Sequence, residues 1–343
     1  MSVSFKNLRN LGYNYAESLA ELVDNSIKAK AKNVEIYFYY TDDPFILTID
    51  DGHGMDKNEI ENKALVAPKG DNVYVDSGPN DLGRFGMGLK QGTFAQCKML
   101  TVFSKKNTLV HKSINLNEEE EISDFLPQCV SHKFIKEKIK NLENSNSGTA
   151  ILWSNLDKLL KERDENNLNF YPEIEKVKKH FKMIYHKRII NNKIKIFFQG
   201  RERNHQLKSV DPFYTLHRET IKFEDMIINL KGTKIIIRPW VIPKEIPPEN
   251  FNKNGNELQG FYFSNKDRII DFGGWFEIDN ESKIKLSTTD KFNRLRVLVE
   301  LPGKNIKDWI SSTKSKVNIP DFFKKSMLQI VNKIRANYIV KIK

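Results

Sequence analysis

The stretch that decides the fold is Glu21-Leu22-Val23-Asp24-Asn25, together with Asp50-Asp51-Gly52-His53-Gly54 further along the chain. The first segment places a carboxylate and an amide four residues apart, so both lie on one face if the segment is helical. The second is a carboxylate followed by two closely spaced glycines. A third segment, Gly83-Arg84-Phe85-Gly86-Met87-Gly88-Leu89-Lys90, is glycine-rich and ends in a lysine. Each segment alone is a weak signal, and the order of the three carries the prediction.

The sequence around these segments predicts a chain of mixed helices and strands. Residues 14–30 carry an apolar stripe at helical spacing, and Asn14 with Glu17 can form a capping box at its start. Residues 34–40 and 45–50 predict two strands joined by a hairpin turn. Further helices are expected at 57–67, 87–97, 171–190 and 322–340, and further strands at 99–104, 109–115, 150–153, 193–198, 234–238, 260–263, 268–271 and 296–300. Residues 116–147 are a polar insertion whose structure the pattern does not define.

Length and composition indicate a two-domain globular protein. The 343 residues are 39% hydrophobic, and the sequence turns polar between 157 and 171, so we expect domains at 1–165 and 166–343. No apolar stretch is long enough to span a membrane, and residues 1–11 lack the apolar core of a signal peptide. Cys97 and Cys129 have no metal-ligand spacing. A reduced, cytoplasmic setting is therefore expected.

The formal net charge of +12 is unevenly distributed. Residues 1–160 contain 19 Lys+Arg against 22 Asp+Glu, whereas the remainder contains 37 against 22. A basic half is typical of proteins with a polyanionic partner, most often nucleic acid. The lysines are also scattered, as they are in a chain whose lysines only keep the surface soluble. The charge alone leaves both explanations open.

The first two segments contain residue types suited to phosphoryl transfer. A helical carboxylate such as Glu21 can orient and deprotonate a water, and the amide oxygen of Asn25 can ligate Mg²⁺. The alternative is an ordinary solvated helix face. Asp50, at the end of an apolar strand, can accept a hydrogen bond from the exocyclic amine of adenine, and the following glycines allow close backbone approach. The alternative there is an ordinary Asp-Gly turn.

The third segment is suited to holding phosphate. Backbone N–H groups at a glycine-rich helix start bind phosphate, and Lys90 adds a positive charge. The segment is not a Walker A loop, because Gly88 is followed by Leu89 rather than by Lys-Ser/Thr. It is also not a dinucleotide fingerprint, because no strand-turn-helix unit leads into it. Thr149, in Ser147-Gly148-Thr149, can place a hydroxyl near the phosphates.

In this order, the segments resemble the GHKL ATPase superfamily, which includes gyrase B, MutL, the ninety-kilodalton heat-shock chaperones and histidine kinases. The sequence looks most similar to the MORC (microrchidia) branch. The similarity includes residues 82–90 and 100–106, and residues 185–211 and 260–275 are similar to the MORC transducer domain. The resemblance implies an α+β chain: a Bergerat-type α/β sandwich ATPase domain followed by a transducer-like α+β domain.

The resemblance also implies a role for each site residue, with ATP and Mg²⁺ as the cofactors. Glu21 would be the general base, Asn25 the Mg²⁺ ligand and Asp50 the adenine-selecting acid, with Gly54 supporting the base. Residues 67–82 would form a lid over the nucleotide. The phosphate and nucleotide contacts would come from Lys69, Gly83, Gly86, Gly88, Leu89 and Lys90, with Thr149 close by. Many relatives have an Asp where this chain has Lys28, but the Glu and Asn are intact.

By the same resemblance, the protein would be an ATP-gated clamp that forms a homodimer, hydrolyses ATP slowly and acts on double-stranded DNA. A transducer lysine, either Lys314 or Lys316, would reach the γ-phosphate, and residues 1–13 would form an exchangeable strap. One alternative is a chaperone-like or signalling ATPase subunit that works through a protein partner or effector subunit. Another is a nucleotide sensor that binds ATP without cleaving it.

Overall fold

The computed structural model describes residues 5–10, 12–40, 43–66, 88–118, 121–158, 170–199, 204–230, 233–243, 258–278, 293–301, 309–311 and 314–342. The chain divides into two compact units. The first contains Met1–Phe181 and Arg188–Lys208, and the second contains Lys182–Lys187 and Ser209–Lys343. Each unit has its own mixed sheet with accompanying helices, so the predicted α+β class is confirmed.

The described residues of the first unit form an eight-stranded sheet. Its strands are β1 (Asn33–Tyr39), β2 (Phe45–Asp50), β3 (Met99–Lys105), β4 (Leu109–Asn115), β5 (Ile122–Ser123), β6 (Gly148–Ser154), β7 (Lys195–Gln199) and β8 (Asn204–Gln206). They lie in the order β5-β4-β3-β6-β2-β1-β7-β8. The β1–β7 pair is parallel, and the other neighbouring pairs are antiparallel. The predicted β1–β2 hairpin is thus confirmed.

The helices of the first unit begin with the predicted capped helix. They are α1 (Tyr15–Lys28), α2 (Lys57–Glu59), which continues as a π-helix (Ile60–Ala64), α3 (Gly88–Phe94), α4 (Lys133–Asn144), and 3₁₀ helices at Phe5–Asn10 and Gln128–Ser131. The capping box of α1 is present: Asn14 Oδ1 accepts from the backbone N–H of Glu17, and the Glu17 carboxylate accepts from that of Asn14. Both reciprocal bonds satisfy N–H groups that a helix start otherwise leaves unpaired.

Helices cover both faces of this sheet. On one face the Tyr15 ring of α1 lies 6.4 Å from the Phe38 ring, and Trp153 donates from Nε1 to Thr93 Oγ1 of α3 at 2.8 Å. The opposite face packs against α4 and the 3₁₀ helix before it, in a core of Tyr37, Phe45, Leu47, Phe103, Cys129, Ile135, Leu142, Ala150 and Leu152. The described part of the polar insertion therefore contains a helix whose few apolar residues pack on the sheet.

Helices α5 (Phe170–Ile184) and α6 (His186–Ile190) contribute residues to both units. Phe181 of α5 packs within the first unit, with its ring 5.7 Å from that of Phe198 on β7. The compact first unit thus continues past residue 165, where the sequence predicted a domain boundary, because β7 and β8 complete its sheet.

The second unit has a smaller sheet covered by the last helix. Its elements are β9 (Ile221–Lys222), β10 (Met226–Leu230), β11 (Thr233–Val241), β12 (Gly260–Asn265), β13 (Arg268–Phe272), β14 (Leu295–Glu300) and α7 (Asp321–Ile342). The strand order is β10-β11-β14-β12-β13, with β9 also paired to β11. Phe323, Met327 and Val331 of α7 are buried in the same core as Phe261 and Val297 of the sheet.

Most predicted elements of the second unit are present, but β9 and β10 were not predicted. The run Met-Ile-Ile-Asn-Leu of β10 is too short and too uniformly apolar to show a strand period. Among the helices that the structure describes, none combines the length and the apolar character that crossing a membrane requires.

Candidate active site

Glu21 lies in the contact between α1 and α3. Its side chain is 1% exposed, so the solvated-face interpretation is wrong for this residue. A Cβ added to Gly88 would lie 1.9 Å from Glu21 Oε2, and one added to Gly92 would lie 3.0 Å from the Ser18 carbonyl oxygen. The two glycines let α3 pack tightly on α1. The Glu21 carboxylate therefore lies against the first residue of α3.

Asn25 follows one turn later on α1 and is exposed, whereas the neighbouring Asp24 is buried. A neutral oxygen ligand open to solvent suits Mg²⁺, which retains waters and substrate oxygens in its shell. Within the part of the chain that the structure describes, no cluster of three His, Cys, Asp or Glu residues could hold a metal. Mg²⁺ at Asn25 would therefore need the oxygens of a bound triphosphate, as the sequence predicts.

Asp50 is fixed at the end of β2 by two hydrogen bonds. Ser26 Oγ of α1 donates to Oδ2 at 2.8 Å, and the Gly52 backbone N–H donates to Oδ1 at 2.9 Å. Burial raises the pKa of Asp50 to about 6, while these two hydrogen bonds act in the opposite direction. The carboxylate is therefore held in one orientation and is ionised at neutral pH.

Ser26 is a site residue that the sequence analysis missed. It is 2% exposed and lies between Val23 and Ile27 on the apolar side of α1. A hydroxyl within an apolar helical stripe was the available signal, because a buried hydroxyl must find a hydrogen-bond partner.

Two polar side chains, Thr149 and Ser104, continue a row across the sheet from Asp50. Thr149 on β6 is the direct partner of Asp50, and Ser104 on β3 is the direct partner of Thr149. The hydroxyls of Ser104 and Thr149 are 2.8 Å apart, and Ser104 Oγ accepts from the Met55 backbone N–H at 2.8 Å. Directly opposed residues share one face of a sheet. Thr149, which the sequence placed near the phosphates, thus lies next to the expected adenine acid.

The loop after Asp50 requires glycine at position 54. Gly54 has φ +68°, and a Cβ there would lie 1.9 Å from the carbonyl oxygen of Lys105 on β3. The loop is also hydrogen-bonded to the end of α1, since the His53 backbone N–H donates to the Ala29 carbonyl at 3.0 Å. The loop is held between α1 and β3, which fixes the position of Asp50 relative to Glu21.

Lys90 is buried next to the start of α3. Its side chain is 1% exposed, and Nζ donates to the carbonyl oxygen of Ala64 at 3.1 Å. Burial lowers the pKa of Lys90 to about 8. The ammonium group thus lies inside the unit, near Gly88 and the half-buried Leu89, where the sequence predicted a phosphate contact.

Two further sets of predicted site residues remain. Lys69, Gly83, Gly86 and the expected lid at 67–82 are outside the described residues. Lys314 and Lys316 belong to the second unit. Lys314 is buried with φ +51°, and its carbonyl oxygen accepts from Arg268 Nη1 at 3.0 Å, whereas Lys316 is exposed. The choice between these lysines stays a prediction.

The residues gathered around α1 and α3 fall within a segment with known relatives. Residues 13–149 match the Histidine kinase-, DNA gyrase B-, and HSP90-like ATPase family. The matched segment contains Glu21, Asn25, Asp50 and Lys90 and ends at Thr149. It supports the GHKL superfamily predicted from the sequence and, with it, ATP binding by the first unit. It does not distinguish the MORC branch from the others.

A solved structure described as the crystal structure of the N-terminal domain of a DNA repair protein is similar to this chain. The TM-score is 0.57 at 16% sequence identity, and the alignment covers 95% of each chain. At this identity the similarity concerns the fold alone. No curated protein matches the sequence.

Proposed function

We propose that this protein is an ATP-dependent molecular clamp that dimerises on binding ATP, hydrolyses ATP slowly and acts on DNA. The observation that carries the ATPase part is the contact between the Glu21 carboxylate and Gly88 at the first residue of α3. That contact lies inside the segment that matches GHKL-type ATPases. It brings the candidate base to the end of the helix where the phosphates are expected.

Glu21 would act as the general base in this site. Phosphoryl transfer depends mainly on positioning the nucleophile and on stabilising charge. Phosphate oxygens bound by the N–H groups of the glycine-rich start of α3 would lie beside the Glu21 carboxylate. Glu21 would then accept a hydrogen bond from the attacking water and take its proton. The tight packing at Gly88 and Gly92 would keep the carboxylate in place during this step.

The other end of the site would select the base and hold the metal. Ionised Asp50 would accept a hydrogen bond from the amine of adenine, whereas guanine presents a carbonyl oxygen at the equivalent position and would be repelled. The Asn25 amide oxygen would be the protein ligand to Mg²⁺. When bound, the metal neutralises charge on the triphosphate oxygens. A single helix, α1, would thus carry the base, the metal ligand and Ser26, which orients Asp50.

The DNA part of the proposal is supported by charge and by fold. The sequence after residue 160 has 37 Lys+Arg against 22 Asp+Glu, as expected for a surface that contacts phosphates. The similar solved structure comes from a protein described as a DNA repair protein. A role in genome maintenance or defence, and a relation to the MORC branch, belong to the same proposal. Binding driven by such charge should weaken steeply with salt.

The clamp part of the proposal involves the N-terminal segment. Phe5 and Leu8 are buried, the Phe5 ring lies 5.4 Å from the Phe94 ring of α3, and Arg9 pairs with Asp157 at 2.5 Å. Residues 5–10 therefore pack on their own unit. Exchange of residues 1–13 between protomers would require these contacts to break in one chain and form with the other. Lys314 or Lys316 would then complete the closed state by reaching the γ-phosphate.

Molar-mass measurement by light scattering, with and without a non-hydrolysable ATP analogue and then with double-stranded DNA, tests this function. We expect the mass to double only with the analogue, and DNA to be retained at low salt and released as salt rises. An unchanged mass with the analogue would contradict the clamp, and DNA binding that is absent or insensitive to salt would contradict action on DNA.

One observation favours a second function, that of a chaperone-like or signalling ATPase subunit with a protein partner. Leu216 is 98% exposed, yet its loop is ordered by Asp211, whose carboxylate accepts from the backbone N–H groups of Phe213 at 2.9 Å and Thr215 at 2.8 Å. A protein partner that covers this loop would remove the apolar Leu216 side chain from water. A protein retained from the native host by the wild type, and lost with Leu216→Ser, would support this alternative.

A further inference from the structure

The helical segment after the Gly54 loop is attached to the β3–β4 hairpin by lysines. Lys112 Nζ of β4 lies 2.9 Å from Glu61 Oε1 on the π-helix and 3.0 Å from Asp124 Oδ1, and the Lys112 side chain is only 8% exposed. Lys106 contacts the carboxylates that flank α2, but its side chain is 41% exposed. Exposed ion pairs contribute little. The Lys112–Glu61 pair is therefore the stronger attachment of the π-helix.

The π-helix ends at the carbonyl group that holds Lys90. Ile60 and Leu65 are fully buried, and the Leu65 backbone N–H donates to the Ile60 carbonyl at 2.9 Å. The last carbonyl groups of a helix have no partner within it and attract cations. Ala64 provides such a carbonyl group, and its oxygen accepts a hydrogen bond from the Lys90 ammonium at 3.1 Å. The end of the π-helix therefore helps to position this ammonium group.

This chain of contacts reaches the phosphate end of the candidate site and not the adenine end. Lys90 is two residues after Gly88, which touches Glu21. Asp50, by contrast, is held by Ser26 and Gly52, which the lysines on the hairpin do not contact. A disturbance of the π-helix should consequently alter the binding of phosphates more than the binding of adenosine.

We propose that Lys112 is a positioning residue for phosphate binding, which fixes Glu61 and thereby the Ala64 carbonyl that holds the Lys90 ammonium. This inference rests on the proposed ATP site. Hydrogen bonds to Glu61 and then Asp124 raise the pKa of Lys112, so its ammonium group is charged across the neutral range. Without Lys112, Glu61 and Asp124 would lose the cation between them, and the π-helix would lose its ion pair to the β3–β4 hairpin.

Lys112→Met in the full chain tests the proposal by calorimetric binding of a non-hydrolysable ATP analogue and of adenosine. We expect roughly tenfold weaker binding of the ATP analogue, the size of a coupling carried through packed groups, and adenosine binding within about twofold of wild type. Glu61→Gln, which keeps the size of the side chain, should reproduce this selective loss. Lys106→Met is the matched control on the same hairpin and should leave both affinities unchanged.

The outcomes separate this proposal from the proposed function. If Lys112→Met and Glu61→Gln weaken both ligands equally, or neither, the positioning role is wrong while the ATP site stands. If Lys112→Met does not fold, Glu61→Gln decides the question alone. If the wild type binds neither the ATP analogue nor adenosine, the ATP site itself is wrong, and the positioning role falls with it.

Discussion

Gly88→Ala adds one methyl group at the contact between α3 and Glu21. The new Cβ would lie 1.9 Å from Oε2 and 2.8 Å from Cδ of Glu21, whereas ordinary contacts begin near 3.4 Å. The carboxylate oxygen must therefore move by about 1.5 Å, the difference between 3.4 and 1.9 Å. The obstructing atom is the end of a flexible side chain, so rotation relieves the clash. The fold should therefore remain stable.

The displacement should affect hydrolysis far more than binding. A 1 Å misplacement of a group in a reacting complex can lower the rate roughly 100-fold, so we expect a drop of about that size in kcat for ATP hydrolysis. The backbone N–H of residue 88 remains, and the contacts of Asp50 lie elsewhere, so ATP affinity should change little. Steady-state ATP hydrolysis, binding of a fluorescent ATP analogue and thermal unfolding together measure these effects.

Gly92→Ala is the matched control, one turn further along α3. Its Cβ would lie 3.0 Å from the carbonyl oxygen of Ser18, a backbone atom that cannot rotate away. The helices would have to separate slightly, at a cost of about 1–3 kcal/mol in stability, as in other overpacked contacts. Gly92→Ala should therefore lower the melting temperature more, and Gly88→Ala should lower turnover more. Wild-type turnover by a folded Gly88→Ala protein would refute the placement of Glu21.

Two further predictions concern pH. Asp50→Asn should weaken ATP binding by about 1.5–3 kcal/mol. Because burial raises the pKa of Asp50 to about 6, wild-type affinity for adenosine, which has no phosphate that titrates, should fall as the pH drops through 6. Adenosine affinity of Asp50→Asn should not respond to pH. Calorimetry from pH 5 to 8 measures both, and a flat wild-type profile would contradict the role of Asp50. Burial lowers the pKa of Lys90 to about 8. If the Lys90 ammonium contacts phosphate, ATP affinity should fall as the pH rises through 8, because the lysine loses its charge. Adenosine affinity should not change over this range. Lys90→Met should remove that slope, and an identical slope for adenosine would exclude the phosphate contact.

The elements with local signals were predictable from the sequence. Helix α1 begins where the Asn14–Glu17 capping box places it, and β1 and β2 pair as the hairpin pattern indicates. Both signals involve residues a few positions apart, so the chain alone encodes them. The α+β class follows from the same elements.

The burial of Glu21 could not be predicted in this way. Helical periodicity placed it opposite the apolar stripe of α1, on a face that is normally solvated. Glu21 is buried against Gly88 of helix α3. The chain reaches α3 only after β1, β2 and α2. The proximity of Thr149 to Asp50 could not be predicted for a similar reason, because it depends on the β2–β6 register. Tertiary packing, which no short pattern contains, decides both positions.

The helix α4 shows the same limit in the polar insertion. Its composition is dominated by lysine, glutamate and asparagine, and only a few apolar residues, such as Ile135 and Leu142, reach the core. The sheet face that they cover is formed by strands on both sides of the insertion in the sequence. The helix is therefore stabilised by packing more than by local propensity.

The most direct test of the central claim is a side-by-side measurement of ATP binding and ATP turnover by the wild type and Glu21→Ala. If Glu21 is the general base of a GHKL-type site, both proteins should bind ATP with similar affinity, and only the wild type should hydrolyse it. The ATP-bound dimer of the variant should persist longer. Equal hydrolysis by the two proteins would show that Glu21 is not the base. Binding without hydrolysis by the wild type would indicate a nucleotide sensor, and no ATP binding would contradict the site as a whole.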